Sequence, residues 1–88
     1  MKAYGFRVIL DGIEVMTEDI AESLYTAGCD DCSPFSGDGM AGAVFDRKAA
    51  TLEVAVVSAI NDVRKAGLKV ARVEIEASDL AELETVSN

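Results

Sequence analysis

Residues 51–67 read TLEVAVVSAINDVRKAG. Leu52, Ala55, Val56, Ala59, Ile60 and Val63 recur at the spacing of a helix with one apolar side. Thr51 suits the N-cap, Glu53 stands in the first turn, and Arg64 and Lys65 stand in the last, so charge matches the helix dipole at both ends. Gly67 closes the helix. A helix of this length does not stand alone in water, because its apolar stripe has to be covered. What covers it is written in the flanking segments.

Upstream, Tyr4, Phe6, Val8 and Leu10 alternate with Gly5, Arg7 and Ile9, which is the period of a half-buried strand. Asp11-Gly12 ends it with turn chemistry. Thr17 caps a first helix with Glu18 and Asp19 in its first turn; Ile20, Leu24 and Ala27, with Ala21 and Tyr25, form its stripe, and Gly28 ends it. A weak strand is expected over Cys32–Phe35 and a better one over Met40–Asp46, joined through Asp38-Gly39. In the better strand Ala43 and Phe45 share one face, Val44 and Asp46 the other. Downstream, the stretch 69–76 alternates again, with Ala71, Val73 and Ile75 apolar. The order is strand, helix, strand, strand, helix, strand.

Each helix offers one stripe and each strand one face, so both helices belong on one side of one sheet. Right-handed crossovers then favour an α+β, ferredoxin-like two-layer sandwich with antiparallel sheet order 4-1-3-2. Residues 1–77 form this domain, and 78–88 an acidic tail, either a short helical turn or a linker. The far sheet face would carry Arg7, Ile9, Val44, Asp46, Arg72, Glu74 and Glu76, with Ile9 and Val44 able to seed a face-to-face contact.

The chain has 88 residues, sixteen acidic and eight basic, no histidine, and a formal charge of −8. That balance repels a phosphate backbone, so nucleic acid is not an expected partner. No apolar run is long enough to span a membrane and no secretory leader is visible, which points to the cytoplasm. Without histidine, histidine-based triads and general bases are excluded.

The only cysteines form the C-x-x-C of GCDDC, residues 28–32. Redox use needs a stabilised thiolate, usually at a helix N-terminus. Cys29 instead follows a helix C-terminus and neighbours Asp30 and Asp31, so its thiol pKa should rise. Two thiolates make half a zinc site, and only pooling across a dimer would complete it. Copper chaperones of this fold carry their C-x-x-C ahead of the first helix, and acylphosphatases carry an arginine in the loop after strand one, whereas Arg7 lies within the strand. Cys29 therefore reads as a small core residue, with Asp30 and Asp31 in a turn. Asp30, Asp31 and Asp38 lack the pattern of a calcium loop, and SGDGMAG lacks that of a phosphate loop. No catalytic residue, metal or cofactor is expected.

The AGCDD turn, the FDR-x-A approach to helix two and the DV-x-x-AG exit resemble a group of small bacterial proteins over roughly residues 6–76. Longer members continue into a helix-turn-helix segment that would bind DNA. The resemblance implies a regulatory or antitoxin-like context with this domain as the sensing or dimerising part. The chain reaches Asn88 where such a segment would begin, which fits either a piece of a longer regulator or a stand-alone form. The leading expectation is a non-enzymatic interaction module, working on a protein partner or as a homodimer through Arg7, Ile9, Val44, Arg72 and Glu74. An alternative, by resemblance in size and charge, is a phage-encoded inhibitor of the anti-CRISPR kind that blocks a basic surface through Asp30, Asp31, Asp38, Glu74, Glu76 and the tail. A second alternative is a small-ligand sensor.

Overall fold

The computed structural model describes residues 2–75. Glu76 and the tail at 78–88 lie outside the described residues. The elements are β1 (Lys2–Leu10), α1 (Glu18–Thr26), β2 (Cys32–Gly37), β3 (Met40–Ala49), α2 (Leu52–Lys65) and β4 (Val70–Glu74). The strands form one sheet in the order β2-β3-β1-β4, with every neighbouring pair antiparallel. This is the expected 4-1-3-2 order seen from the other edge. Among the described residues no helix is long and apolar enough to cross a membrane.

Both helix starts use the expected caps. The Thr17 hydroxyl accepts from the Ile20 amide at 3.2 Å and the Thr51 hydroxyl from the Val54 amide at 3.1 Å. The β2–β3 hairpin pairs Gly37 with Met40 across Asp38-Gly39. Both turn residues have positive φ, 54° and 77°, as a two-residue type I′ turn requires. Pro34 sits in β2, an edge strand, where a missing amide is tolerated.

The core is a single cluster. Tyr4, Phe6, Val8 and Leu10 of β1 and Ala43, Phe45 and Ala49 of β3 are buried with Leu24 of α1 and Ala55, Ala59 and Val63 of α2. Both helices therefore cover the same sheet face, and no helix among the described residues covers the other. Phe6 and Phe45 are cross-strand partners whose rings stack 5.4 Å apart.

Two expectations are corrected. Tyr25 is not part of the α1 stripe; it is 68% exposed. Ile20, Leu24 and Ala27 hold one side of the helix, and Tyr25 lies about 100° of helical rotation past Leu24. In β4 the core-facing position is Val70 rather than Ala71. The register with β1 shifts between Ile9 and Leu10, so that Ile9 pairs Arg72 while Leu10 pairs Val70. Ala71 is the extra residue of this bulge and is exposed.

The two helices are unequally anchored: α2 buries three side chains completely and α1 only Leu24. Leu24→Ala is expected to cost about 2–5 kcal/mol, the range for emptying a leucine site in a core, read from urea unfolding. Amide exchange in the wild type should protect α1 less than α2. Equal protection of both helices would contradict this ranking.

Candidate functional site

Alternation along β3 turns Arg47 onto the helix-covered face, next to Phe45 and Ala49. It is 8% exposed, the only charged residue in the buried set among the described residues. A guanidinium taken out of water needs its donors matched. Here Nε and Nη2 donate to the two Asp31 carboxylate oxygens at 2.7 and 2.9 Å, a bidentate fork. Nη2 also donates to the Gly28 carbonyl at 3.3 Å and Nη1 to the Ser58 hydroxyl at 3.1 Å. Nη1 further lies 3.0 Å from Asp62 Oδ2. The guanidinium carbon stands 5.2 Å from the centre of the Phe45 ring. The hydrogen bond that Arg47 donates to Asp31 is the largest of the effects that raise the Arg47 pKa, so the side chain stays cationic.

One side chain thus ties β3 to the α1–β2 loop and to α2. Nothing in the sequence reading singled out Arg47 for this role. The available signal was its place in the alternation of β3, two residues after Phe45 on the apolar side.

The cysteines lie beside this clamp. The Gly28 amide donates to Tyr25 O at 3.1 Å and the Cys29 amide to Leu24 O at 3.0 Å. With Gly28 at φ 111° this is a Schellman ending, which brings the residue after the glycine against the helix's last inward side chain. Those residues are Cys29 and Leu24, and both are fully buried. The end of α2 repeats the pattern: Gly67 donates to Arg64 O and Leu68 to Val63 O. Cys29 therefore occupies the place that Leu68 fills on the second helix. Burial, then Cys32 and Asp62, push the Cys29 thiol from 9.0 up to about 11, against a smaller opposing pull from Arg47. Burial is also the main cause that raises Cys32, followed by Asp31. The direction matches the sequence expectation, but burial leads and charge follows. The Cys32 thiol donates to the Cys29 carbonyl at 3.1 Å, and both sulfurs are free thiols.

The residues expected to face a partner divide into groups. On the open sheet face Glu74 is shared between Arg7 and Arg72, each at 3.1 Å. Val44 is 42% exposed there. Ile9 is not available: it is 2% exposed. The register sets Phe35, Gly42, Ile9 and Arg72 in one row across the sheet. The Phe35 ring lies over Gly42, 3.2 Å from where a Cβ would stand, and Arg72 reaches across to Met40 Sδ at 3.6 Å. The register and a shared crevice set Phe35, Met40 and Arg72 beside the isoleucine. Asp31 is occupied by Arg47, whereas Asp30 and Asp38 are exposed. Glu76 lies outside the described residues. Among those residues no group of three acids or thiols is placed to hold a metal ion.

A further set was missed. Asp11 and Glu14 in the β1–α1 loop and Glu18, Asp19 and Glu22 on α1 are all exposed. Asp38 at the hairpin tip belongs to the same end of the sheet as Asp11 and Glu14, since Gly39 and Met40 line a crevice with them. The signal was legible: from Val8 to Asp46 there are nine acidic residues and no lysine or arginine. Six of the eight cations follow from Arg47 onward.

Arg47→Met would leave Asp31 and Asp62 facing each other without a cation, and is expected to cost about 2–4 kcal/mol in urea unfolding. Arg47→Lys, which keeps charge but loses the fork, should fall between. A loss below about 0.5 kcal/mol, the usual range for a surface substitution, would show the clamp to be idle. For Cys29 the sign follows from the raised pKa: folding favours the protonated thiol. Its contribution is whole below pH 9.0 and is lost as pH rises toward about 11. Over that span the wild type should lose more stability than Cys29→Ala, and parallel curves would contradict the assignment. No protein-family model, curated protein or solved structure matches this chain.

Proposed function

We propose that the chain is a non-enzymatic protein-interaction module on a ferredoxin-like frame, working through its acidic half against a basic protein surface. The observation that carries this reading is the division of charge along the chain. Nine acids without a cation occupy residues 8–46, and Asp11, Glu14, Glu18, Asp19, Glu22 and Asp38 among them are exposed. Like charges gathered this way repel one another in the free protein, and a basic partner relieves that repulsion. Val15 and Tyr25, 65% and 68% exposed, add apolar and aromatic contact area in the same region.

The surface serves two settings. In front of a DNA-binding segment, as the sequence resemblance implies, the module holds a partner protein while another part of the regulator touches DNA. As a stand-alone inhibitor of the anti-CRISPR kind it occupies a basic nucleic-acid groove by protein contact. A second reading, a homodimer through the open sheet face, is favoured by exposed Val44 beside the Arg7–Glu74–Arg72 row.

The test uses the chain and its Glu18→Lys/Asp19→Lys/Glu22→Lys variant as bait for proteins with basic nucleic-acid grooves, RNA-guided nucleases first. Capture by the wild type should weaken as salt rises from about 0.05 to 0.5 M, as the screening length shortens. The triple reversal should abolish it. Equal capture by both baits, or none at low salt, sinks the reading.

A further inference from the structure

The outward side of α2 carries a stripe that the core does not use. Val54 and Val57 are 52% and 50% exposed, and with Glu53, Ser58 and Asn61 they line a shallow groove of about 290 Å³. They are three residues apart and so are neighbours on the helix surface. Glu53 lies at the start of this side and Arg64 near its end, both exposed, and neither makes an ion pair among the described residues.

We infer that this stripe is a homodimer contact, occupied by α2 of a second copy running antiparallel across a two-fold axis. The axis passes through the helix midpoint, between Ser58 and Ala59. Glu53 of each copy then faces Arg64 of the other, so the charges at the ends of α2 are self-complementary, as a two-fold contact demands. Val57 of each copy meets its equivalent at the centre, offset from the axis by about 2 Å at 1.5 Å per residue. The helix dipoles also oppose one another.

Charge decides why a second copy seats here rather than on α1. Each chain carries a formal −8, which opposes association in general. Along α2 Glu53 and Asp62 are balanced by Arg64 and Lys65, whereas the charges on α1, Glu18, Asp19 and Glu22, are all negative. Pairing through α2 joins the least acidic sides. This deepens the reading of the chain as an interaction module, because the acidic surfaces then remain open for a partner.

The experiment is sedimentation equilibrium of the full 88-residue chain over a range of concentrations, with circular dichroism to verify folding. The wild type should follow a monomer–dimer equilibrium. Val57→Asp, at an exposed site, should raise the dimer Kd at least tenfold. Glu53→Arg and Arg64→Glu should each weaken the dimer, and their combination should restore it, a rescue that a merely structural role would not give. A wild type monomeric at every concentration overturns the proposal. So does a dimer indifferent to Val57→Asp and to the charge reversals but lost in Val44→Asp, which would put the contact on the sheet face. Neither Val57→Asp nor Arg64→Glu touches the acidic half, so capture of a basic partner is scored separately from this result.

Discussion

Arg47 brings a full positive charge to the place where the sheet, α2 and the α1–β2 loop meet. Five N–H donors find five acceptors on Asp31, Gly28, Ser58 and Asp62. Every one of those partners must be in position at once, because each vacancy would leave a desolvated donor. The loop from Gly28 to Asp31 has no extended apolar surface to hold it, and the guanidinium supplies the constraint instead. Asp62 is held close on the other side, 3.3 Å from where a Cβ on Gly28 would stand. A side chain at residue 28 would press on the carboxylate that faces Arg47. The glycine thus serves both the helix ending, through its positive φ, and the clamp, through its missing side chain.

The parts of the fold legible in the sequence are those fixed by local chemistry. Thr17 and Thr51 announce helix starts, Gly28 and Gly67 announce ends, and Asp38-Gly39 announces the hairpin, because each residue type satisfies one specific backbone requirement. The alternation in β1 and β3 gives the sheet face, and order follows from where two helices can sit. Ala71 was misread because a bulge breaks the period of two, and the residues around it carry no mark of that. Ile9 was misread for a related reason. Alternation states which face a side chain is on, but Phe35, Met40 and Arg72 come from three other strands, and only the register brings them beside it.

The candidate surfaces show the same division. Val44 and the Arg7–Glu74 pair follow from strand parity alone. Asp31 looked like a solvent-facing turn residue because its partner is sixteen positions away, on a strand whose own pattern reads as core. The acidic run before Arg47 needs no structure to be seen. Its meaning does, since a charge count becomes a surface only when Asp11, Glu14, Asp38 and the α1 acids are known to be exposed together.

The C-x-x-C pair shows how local backbone chemistry fixes the character of a side chain. Two thiols at this spacing invite a chemical reading, yet the Schellman ending of α1 turns Cys29 inward against Leu24, as the matching ending of α2 turns Leu68 inward against Val63. The same helix ending thus carries a leucine at one place and a cysteine at the other, each serving as an apolar contact for the helix's last inward side chain. Burial then raises the thiol pKa, which suppresses the thiolate that redox or metal chemistry would need. Two unlike surfaces stand out among the described residues, an acidic half and a valine-striped helix, and the proposed interaction reading rests on them.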